Sequence, residues 1–222
     1  MDARTLDQDA GSRHDGGAKR QQIMGGARAA FLASGFDGAS MNEIAREAGV
    51  SKGTLYAYFD SKDELFEAII QAEYLHAVER LCAFKSGGEV REMLMDFGVR
   101  LISRITAPDV MAFSRVVIAA SGKFPKIGRA FYAAGPLYGA ARLADELVAL
   151  ERTGMLKVPD PERAAWQFVD LCQSYVYKRL LFGIVERVTP EEIEAAVRAG
   201  VDVFLAAYGA QFDLAAGRPA GR

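Results

Sequence analysis

The chain has 222 residues and a formal net charge of −2; half of the residues are hydrophobic and a quarter are charged. This length suits one large or two small domains, and no stretch approaches the ~20 uninterrupted apolar residues of a membrane span. Residues 1–17 lack the apolar segment of a signal peptide, so we expect a cytoplasmic protein. The overall charge argues against a generally basic nucleic-acid binder, and any nucleic-acid contacts must therefore be local.

The N-terminal residues divide into an acidic tail and a basic helix. Residues 1–18 carry a net charge of −2 and little apolar surface, so we expect them to be disordered. Residues 19–62 carry a net charge of +2 and residues 63–222 a net charge of −2. A first helix is predicted from Lys19 to Ser34, with its end at Gly35. Its buried stripe consists of Ile23, Ala27, Ala30 and Phe31.

The stretch from Met41 to Asp60 predicts two short helices joined by a tight turn. Apolar residues recur at three- and four-residue steps in the first helix, and Ser40 with Glu43 has the spacing of a capping box. Gly49 ends this helix because glycine enters the left-handed conformation without a steric cost. Ser51 can cap the second helix. The pattern is typical of a helix-turn-helix, whose second helix enters the DNA major groove.

The second helix has an exposed face without a carboxylate. That face carries hydrogen-bond donors, a cation, a bare backbone position and an aromatic ring: Ser51, Lys52, Gly53, Thr54 and Tyr56. An ordinary solvated face would include Glu or Asp, although small two-helix corners also occur in helical proteins that bind no DNA. The composition of this face favours DNA binding over that alternative.

A family resemblance rests on the same stretch. The run FLASGFDGASMNEIAREAGVSKGTLYAYFDSKDELF closely resembles the N-terminal DNA-binding domain of TetR-family transcriptional regulators. The resemblance covers about residues 19–66 and departs at Tyr58, where many members have His. It implies that Ser51, Thr54 and Tyr56 contact base edges and that Lys52 contacts a base or a phosphate. Phosphate contacts are expected from Ser40, Tyr58 and Lys62.

The rest of the chain reads as helical, which makes the expected fold all-α with about nine helices. Ser61 can cap a fourth helix that continues to about Phe84, and further helices are predicted over 90–105, 109–120, 125–154, 160–183 and 189–209. Gly135-Pro136 is expected to kink the third of these. Residues 67–214 would form a helical effector-binding and dimerisation domain, followed by a loose tail over 215–222.

The last two helices are too apolar for the exterior of a monomer. Such faces often mark an oligomer interface, although a thick core would also explain them. The TetR resemblance implies a homodimer held by a four-helix bundle of these helices. Twofold symmetry would let two heads read a palindromic operator in double-stranded DNA.

The middle helices carry many large rings, which at helical spacing line a core more often than a pocket. The runs MAFSRVVIAASGKFPKIGRAFYAAGP and DPERAAWQFVDLCQSYVYKRLLFG resemble the effector domain of the AefR-like branch of the family. This resemblance implies a repressor released from DNA by a small-molecule effector, expected to be apolar or aromatic. The candidate pocket residues are Phe97, Leu101, Phe113, Val117, Phe131, Tyr138, Trp166 and Tyr175.

Other chemistry has little support in the sequence. His14 and His76 lie far from each other and from any cysteine pair, so neither a metal site nor a cofactor is expected. Cys82 and Cys172 lie in apolar helical patterns and are expected to be reduced, partly buried thiols. No set of nucleophile, base and acid indicates an enzyme. The remaining alternative is a small-molecule-binding dimer whose DNA-binding head is inactive or needs a co-ligand.

Overall fold

A computed structural model describes residues 4–72, 80–81, 84, 88–210, 212–213 and 218–219, and it describes side chains within these ranges between residues 17 and 210. The fold is all-α. The chain forms two compact units: Met1–Glu73 with Val116–Phe131, and Tyr74–Arg115 with Tyr132–Arg222. The expected boundary at residue 66 lies close to the end of the first segment. The assignment of residues 116–131 to the first unit had no sequence signal.

The first unit begins with four helices. These are α1 (Arg4–Gly38), α2 (Met41–Glu47), α3 (Lys52–Tyr58) and α4 (Lys62–Ile70). Helix α1 packs against both α2 and α4, and α2 packs against α3. Three rings form the centre of this core, with Phe31 and Phe36 stacked at 5.5 Å between centroids and both edge-on to Phe66. The four predicted helices are therefore present, and their apolar faces meet in one core.

Helix α1 starts before its expected position. The sequence predicted disorder over 1–18 and a helix from Lys19, whereas α1 begins at Arg4. Extending an existing helix needs no new nucleus, so residues of modest helix propensity can continue a helix that packing has already stabilised. The other end has a kink at Gly35, whose φ of +70° breaks the regular helix where the sequence predicted its end.

The turn between α2 and α3 has the predicted geometry. Gly49 has a φ of +63°, a conformation that costs glycine nothing sterically. The N–H of Val50 donates to the Ala45 carbonyl (3.0 Å) and the N–H of Gly49 to the Arg46 carbonyl (3.1 Å). This pair of bonds is a Schellman motif, which satisfies the last carbonyls of α2. The angle between α2 and α3 is thus fixed by backbone hydrogen bonds.

Helix α5 (Val90–Ile105) comes next in the chain. The segment 116–131 lies in the two helices that follow it, α6 (Pro108–Ser121) and α7 (Pro125–Tyr132). The second unit holds α5, the start of α6, α8 (Tyr138–Arg152), α9 (Pro161–Gln173), α10 (Tyr177–Leu181) and α11 (Pro190–Tyr208). Helix α9 packs against α8 and α11, and α11 packs against α5. Phe97, Phe168 and Phe204 lie at the centre of this core and are at most 2% exposed.

Eleven α-helices occupy the described residues, where about nine were expected. Pro136 lies in a π-helical turn over Ala133–Leu137, which separates α7 from α8 and confirms the predicted irregularity. Turns at residues 174–176 divide the predicted helix 160–183 into α9 and α10. Two short antiparallel strands, Phe212–Asp213 and Arg218–Pro219, lie partly in the predicted loose tail. The predicted course of the fourth helix beyond residue 72 falls largely outside the described residues.

No helix among the described residues has both the length and the apolarity needed to cross a bilayer. The described side chains also contain no group of three His, Cys, Asp or Glu residues arranged to hold a metal ion. Cys172 is free and buried, where a partly buried thiol was expected, and burial raises the pKa of its thiol to about 12. Cys82, His14 and His76 lie outside the described side chains.

The adjacent glycines of α1 have different environments. A Cβ on Gly26 would lie 2.4 Å from the Ala48 backbone nitrogen and 2.6 Å from the Ala48 Cβ, whereas one on Gly25 would meet nothing within 4 Å. The side chain of Gln22 adds a hydrogen bond from its Nε2 to the Ala48 carbonyl at 2.7 Å. Because Gly26 has no side chain, the backbone of α1 can lie directly against Ala48 at the end of α2.

These two glycines give a matched pair of variants. Gly26→Ala should lower the free energy of unfolding by about 1–3 kcal/mol, because its methyl group would overlap immobile backbone. Gly25→Ala should raise it by about 0.5–1 kcal/mol, because alanine favours an exposed helix position. Denaturant unfolding of both variants measures the difference. Equal effects of the two substitutions would contradict the close approach of α1 and α2.

Candidate nucleic-acid interface

The two faces of α3 have opposite characters. Leu55 and Phe59 point into the first unit and are at most 1% exposed, which anchors the helix. Ser51, Lys52 and Gly53 are exposed, and the large ring of Tyr56 is 43% exposed. The anchoring residues therefore turn the carboxylate-free face predicted from the sequence toward solvent.

A pair of hydroxyl groups lies at the start of α3. Ser51 caps the helix by accepting the N–H of Thr54 at 3.0 Å, and its Oγ lies 2.8 Å from the Thr54 Oγ1. The two hydroxyls have two protons between them, and one is used in their mutual hydrogen bond. The other proton can be donated to an acceptor outside the protein, such as a base edge or a phosphate oxygen.

Gly53 leaves open space beside this hydroxyl pair. A Cβ at this position would meet only the Ser51 Oγ, at 3.8 Å, which is an ordinary contact. The fold therefore does not require glycine here, and the bare backbone is available for close approach by another molecule. Lys52 lies next to it with its Nζ 5.9 Å from the centre of the Tyr56 ring, so a cation and a ring share this surface.

Ser40 is engaged within the protein. Its N–H donates to the Glu43 Oε2 at 2.9 Å, and its Oγ both donates to that oxygen at 3.0 Å and accepts the Glu43 N–H at 3.3 Å. The backbone N–H and then the hydroxyl of Ser40 hold the pKa of Glu43 below its usual value. The predicted capping box is confirmed, and a phosphate contact by Ser40 would have to replace one of these bonds.

Lys62 is also engaged within the protein. Its Nζ donates to the carbonyls of Phe36 (2.8 Å), Asp37 (3.2 Å) and Ala39 (3.1 Å) at the end of α1. An ammonium group has three protons, so these bonds use all of them. The sequence predicted that Lys62 contacts a DNA phosphate, whereas in the structure its ammonium group caps the end of α1. Contacts between residues 23 to 26 positions apart have no signal in a local pattern.

Tyr58 is half-buried at the end of α3. Another residue that the sequence did not indicate lies nearby. The guanidinium of Arg20 sits over the Phe59 ring at 4.9 Å and donates to the Met24 sulfur at 3.5 Å. This places a positive charge on α1 close to the end of α3.

The turn between α6 and α7 belongs to the same unit. The Phe124 ring lies edge-on to Phe36 with 5.0 Å between centroids. The Lys123 Nζ is 2.7 Å from the Asp37 Oδ2, and the hydrogen bond from Lys123 holds the pKa of Asp37 below its usual value. Both contacts join residues more than 80 positions apart, which explains why sequence reasoning missed them.

The candidate pocket residues have several different environments. Phe97 lies in the core of the second unit between Phe84 (4.9 Å) and Phe168 (5.9 Å), and Leu101 packs against that core. Tyr175 is 67% exposed and lies under the Arg179 guanidinium at 4.9 Å. Phe113 and Val117 are buried, and the partly buried residues are Phe131, Tyr138 and Trp166; of the eight, Val117 and Phe131 belong to the first unit.

The second unit contains polar and aromatic features that the sequence did not indicate. Ser114 is 4% exposed and lies beside the Tyr177 side chain; burial raises the pKa of Tyr177, and the neighbouring Ser114 hydroxyl opposes this rise. Thr106, the other buried polar residue of the described chain, bonds to its own helix at the Ile102 carbonyl. Two hydroxyl groups, one from α6 and one from α10, therefore lie close together in the second unit.

Tyr132 and Trp166 form a stacked pair of rings in the second unit. The Tyr132 and Trp166 rings are parallel, with 5.8 Å between centroids and 4° between planes, and Tyr132 is 50% exposed.

Several large apolar side chains between residues 175 and 203 are exposed in the single chain: Tyr175 (67%), Phe182 (74%), Ile184 (73%) and Val203 (54%). The predicted excess of apolar surface near the last helices is therefore present.

Two family models match the chain. Residues 23–69 match "Bacterial regulatory proteins, tetR family", and residues 92–210 match "AefR-like transcriptional repressor, C-terminal domain". The second match alone covers more than half of the chain. Both agree with the resemblances found in the sequence.

Curated relatives match mainly through the N-terminal part. The HTH-type transcriptional repressor Rv1474c of Mycobacterium tuberculosis is 35% identical over 81 residues, which are 35% of this chain and 41% of that protein. The HTH-type transcriptional regulator UidR of Escherichia coli is 41% identical over 61 residues, 28% of this chain and 31% of that protein. The chain thus spans less than half the length of these relatives.

Solved structures match over most of the length. A TetR-family regulator from Mesorhizobium loti superposes with a TM-score of 0.80 at 28% identity, over 87% of this chain and 98% of that one. The flavonoid-responsive regulator FrrA superposes with a TM-score of 0.77 at 35% identity, with the same coverage. The similarity therefore extends through both units.

Proposed function

Because the chain belongs to the TetR family of bacterial transcriptional regulators and has an AefR-like C-terminal domain, we propose that it is a repressor released from a palindromic operator by a small aromatic effector. Members of this family are regulators and not enzymes, and they bind DNA and act as dimers. As a reader of the bacterial chromosome the protein would work in the cytoplasm.

The exposed face of α3 carries the proposal for DNA. Major-groove recognition needs donors and apolar atoms on a helix that can approach the base edges closely. The spare hydroxyl proton of Ser51 and Thr54, the open backbone at Gly53 and the exposed Tyr56 ring meet these needs. In this proposal the Tyr56 ring contacts a thymine methyl group, and Lys52 reaches a base or a phosphate.

The phosphate contacts divide into direct and indirect ones. Tyr58 would donate its hydroxyl to a phosphate from the end of α3. Ser40 and Lys62 would act chiefly by fixing the ends of α2 and α1, because their protons are already donated to Glu43 and to three carbonyls. Few direct charge contacts per head make a single head a weak binder, since neutralised phosphates supply most non-specific affinity.

A second copy of the chain would compensate for weak single heads. Two heads at the spacing of successive major grooves, ~34 Å, read both halves of a palindrome. The exposed apolar side chains of Phe182, Ile184 and Val203 support an interface formed by the last helices, because a monomer in water would gain nothing from exposing them. We therefore propose a homodimer joined through this region.

The effector proposal rests on the rings and on the Ser114–Tyr177 pair. One relative, FrrA, is described as flavonoid-responsive, and flavonoids are flat hydroxylated aromatic molecules. Partly buried rings such as Trp166 and Tyr138 could stack on such a molecule, and the hydroxyls of Ser114 and Tyr177 could orient its phenol group. We propose a hydroxylated aromatic effector, with binding coupled to DNA release by ~1–3 kcal/mol.

Selection of bound fragments from sheared genomic DNA tests the DNA function. Wild-type protein should enrich a short inverted repeat at near-physiological salt, and Tyr56→Ala should weaken binding to that repeat about 10-fold or more. Gly53→Ala should weaken it without lowering the temperature of thermal unfolding, with Gly25→Ala as the control glycine. A stable dimer that enriches no fragment would favour the inactive-head alternative, and wild-type affinity of Tyr56→Ala would refute the role of α3.

Phe182→Glu tests the dimer. The side chain is exposed in the single chain, so the fold should persist while the charge disrupts the interface. Sedimentation should show a monomer, and affinity for the inverted repeat should fall about 100-fold or more, because the second head no longer binds as part of the same molecule. Met155→Glu, at an exposed apolar position outside the last helices, is the control. A Phe182→Glu dimer would place the interface elsewhere.

The effector chemistry can be tested with flavone and 7-hydroxyflavone, which differ by one hydroxyl. Wild-type protein should prefer the hydroxylated compound, and Tyr177→Phe should reduce that preference about 2- to 10-fold through the lost hydrogen bond. Tyr208→Phe removes a phenol that bonds to Gln167 instead and should leave the preference unchanged. Calorimetric titration measures all three affinities, and an unchanged preference in Tyr177→Phe would exclude the polar pair.

A further inference from the structure

The turn between α6 and α7 contacts the end of α1 through its aromatic ring. Phe36 is 1% exposed, and Phe124 lies edge-on to it at 5.0 Å between centroids. Edge-on aromatic pairs at this distance are attractive beyond the area that they bury. Phe124 thus completes the ring cluster of Phe31, Phe36 and Phe66 from a position far along the chain.

The Lys62 ammonium lies at the same point. Its Nζ is 4.7 Å from the centre of the Phe36 ring and 5.9 Å from that of Phe124, while it donates to the three carbonyls that end α1. The Phe124 ring therefore shields this ammonium from water on one side. Excluding water strengthens its bonds to the carbonyls, because the local dielectric constant falls.

An ion pair fixes the register of the turn. The Lys123 Nζ is 2.7 Å from the Asp37 Oδ2, and the carbonyl of the same Asp37 accepts a bond from Lys62. The two side chains of the pair are 67% and 60% exposed, so salt screens their attraction. The ion pair restrains the orientation of the turn, and the Phe124 ring packs the turn against Phe36.

We propose that Phe124 and Lys123 are positioning residues of the DNA-binding head. They hold the junction of α1 and α4, and this junction supports the α2–α3 corner through the packing of α1 on α2. The inference rests on the proposed DNA function. It adds that residues outside the helix-turn-helix set the affinity of α3 for DNA.

Hydrogen exchange tests the junction without DNA. Phe124→Ala should speed amide exchange in residues 61–66, where the Leu65 N–H bonds to the Ser61 carbonyl, by about 10-fold. Lys123→Met should give a smaller change in the same residues. Lys126→Met removes an exposed lysine from the same turn region and should change nothing. Unaltered exchange in Phe124→Ala would overturn the proposal.

Operator binding tests the positioning role. On the fragment enriched by wild-type protein, Phe124→Ala should bind about 10-fold more weakly, a typical coupling effect, and Lys126→Met should bind normally. Asp37→Lys combined with Lys123→Asp should recover part of the affinity that each single change loses. Faster exchange with unchanged operator affinity would overturn the positioning role. Failure of the wild-type protein to enrich any fragment would instead refute the proposed DNA function, which the exchange data do not depend on.

Discussion

The orientation of α3 depends on how closely α1 approaches the end of α2. Gly26 removes the side chain that would separate the two backbones, and Gln22 adds a hydrogen bond to the Ala48 carbonyl. The Schellman motif at Gly49 then fixes the direction in which the chain leaves α2. Each later contact of α3 inherits this geometry, because α3 is too short to hold its orientation through its own hydrogen bonds.

The features that the sequence predicted well are local in the chain. The capping box of α2, the Ser61 cap, the glycine turn and the Pro136 irregularity each depend on residues within a few positions. The features that it missed join distant residues. The carbonyl partners of Lys62 and the contacts of Phe124 arise only after folding, and no periodicity records them. The close contact of Gly26 with Ala48 also joins distant residues.

The candidate pocket shows the same limit more strongly. Rings at helical spacing satisfy a core and a cavity wall equally well, so periodicity cannot separate Phe97, which fills the core, from Trp166, which is only partly buried. Tyr175 is exposed and lies in the turns at residues 174–176, which interrupt the predicted helix. No proline or glycine marks these turns in the sequence. The Ser114–Tyr177 pair was missed because a single serine in an apolar helix gives no signal until its partner is known.

The contacts of Ser40 and Lys62 change how affinity for DNA must arise. Residues 19–62, which follow the acidic tail, carry a net charge of only +2, and two of the expected phosphate donors serve the protein's own helix ends. A head built in this way gains little from charge and much from being rigid, since a preorganised surface loses less entropy on binding. Under the proposed DNA function, internal hydrogen bonds and the ring cluster would therefore contribute to recognition together with the residues that face the groove.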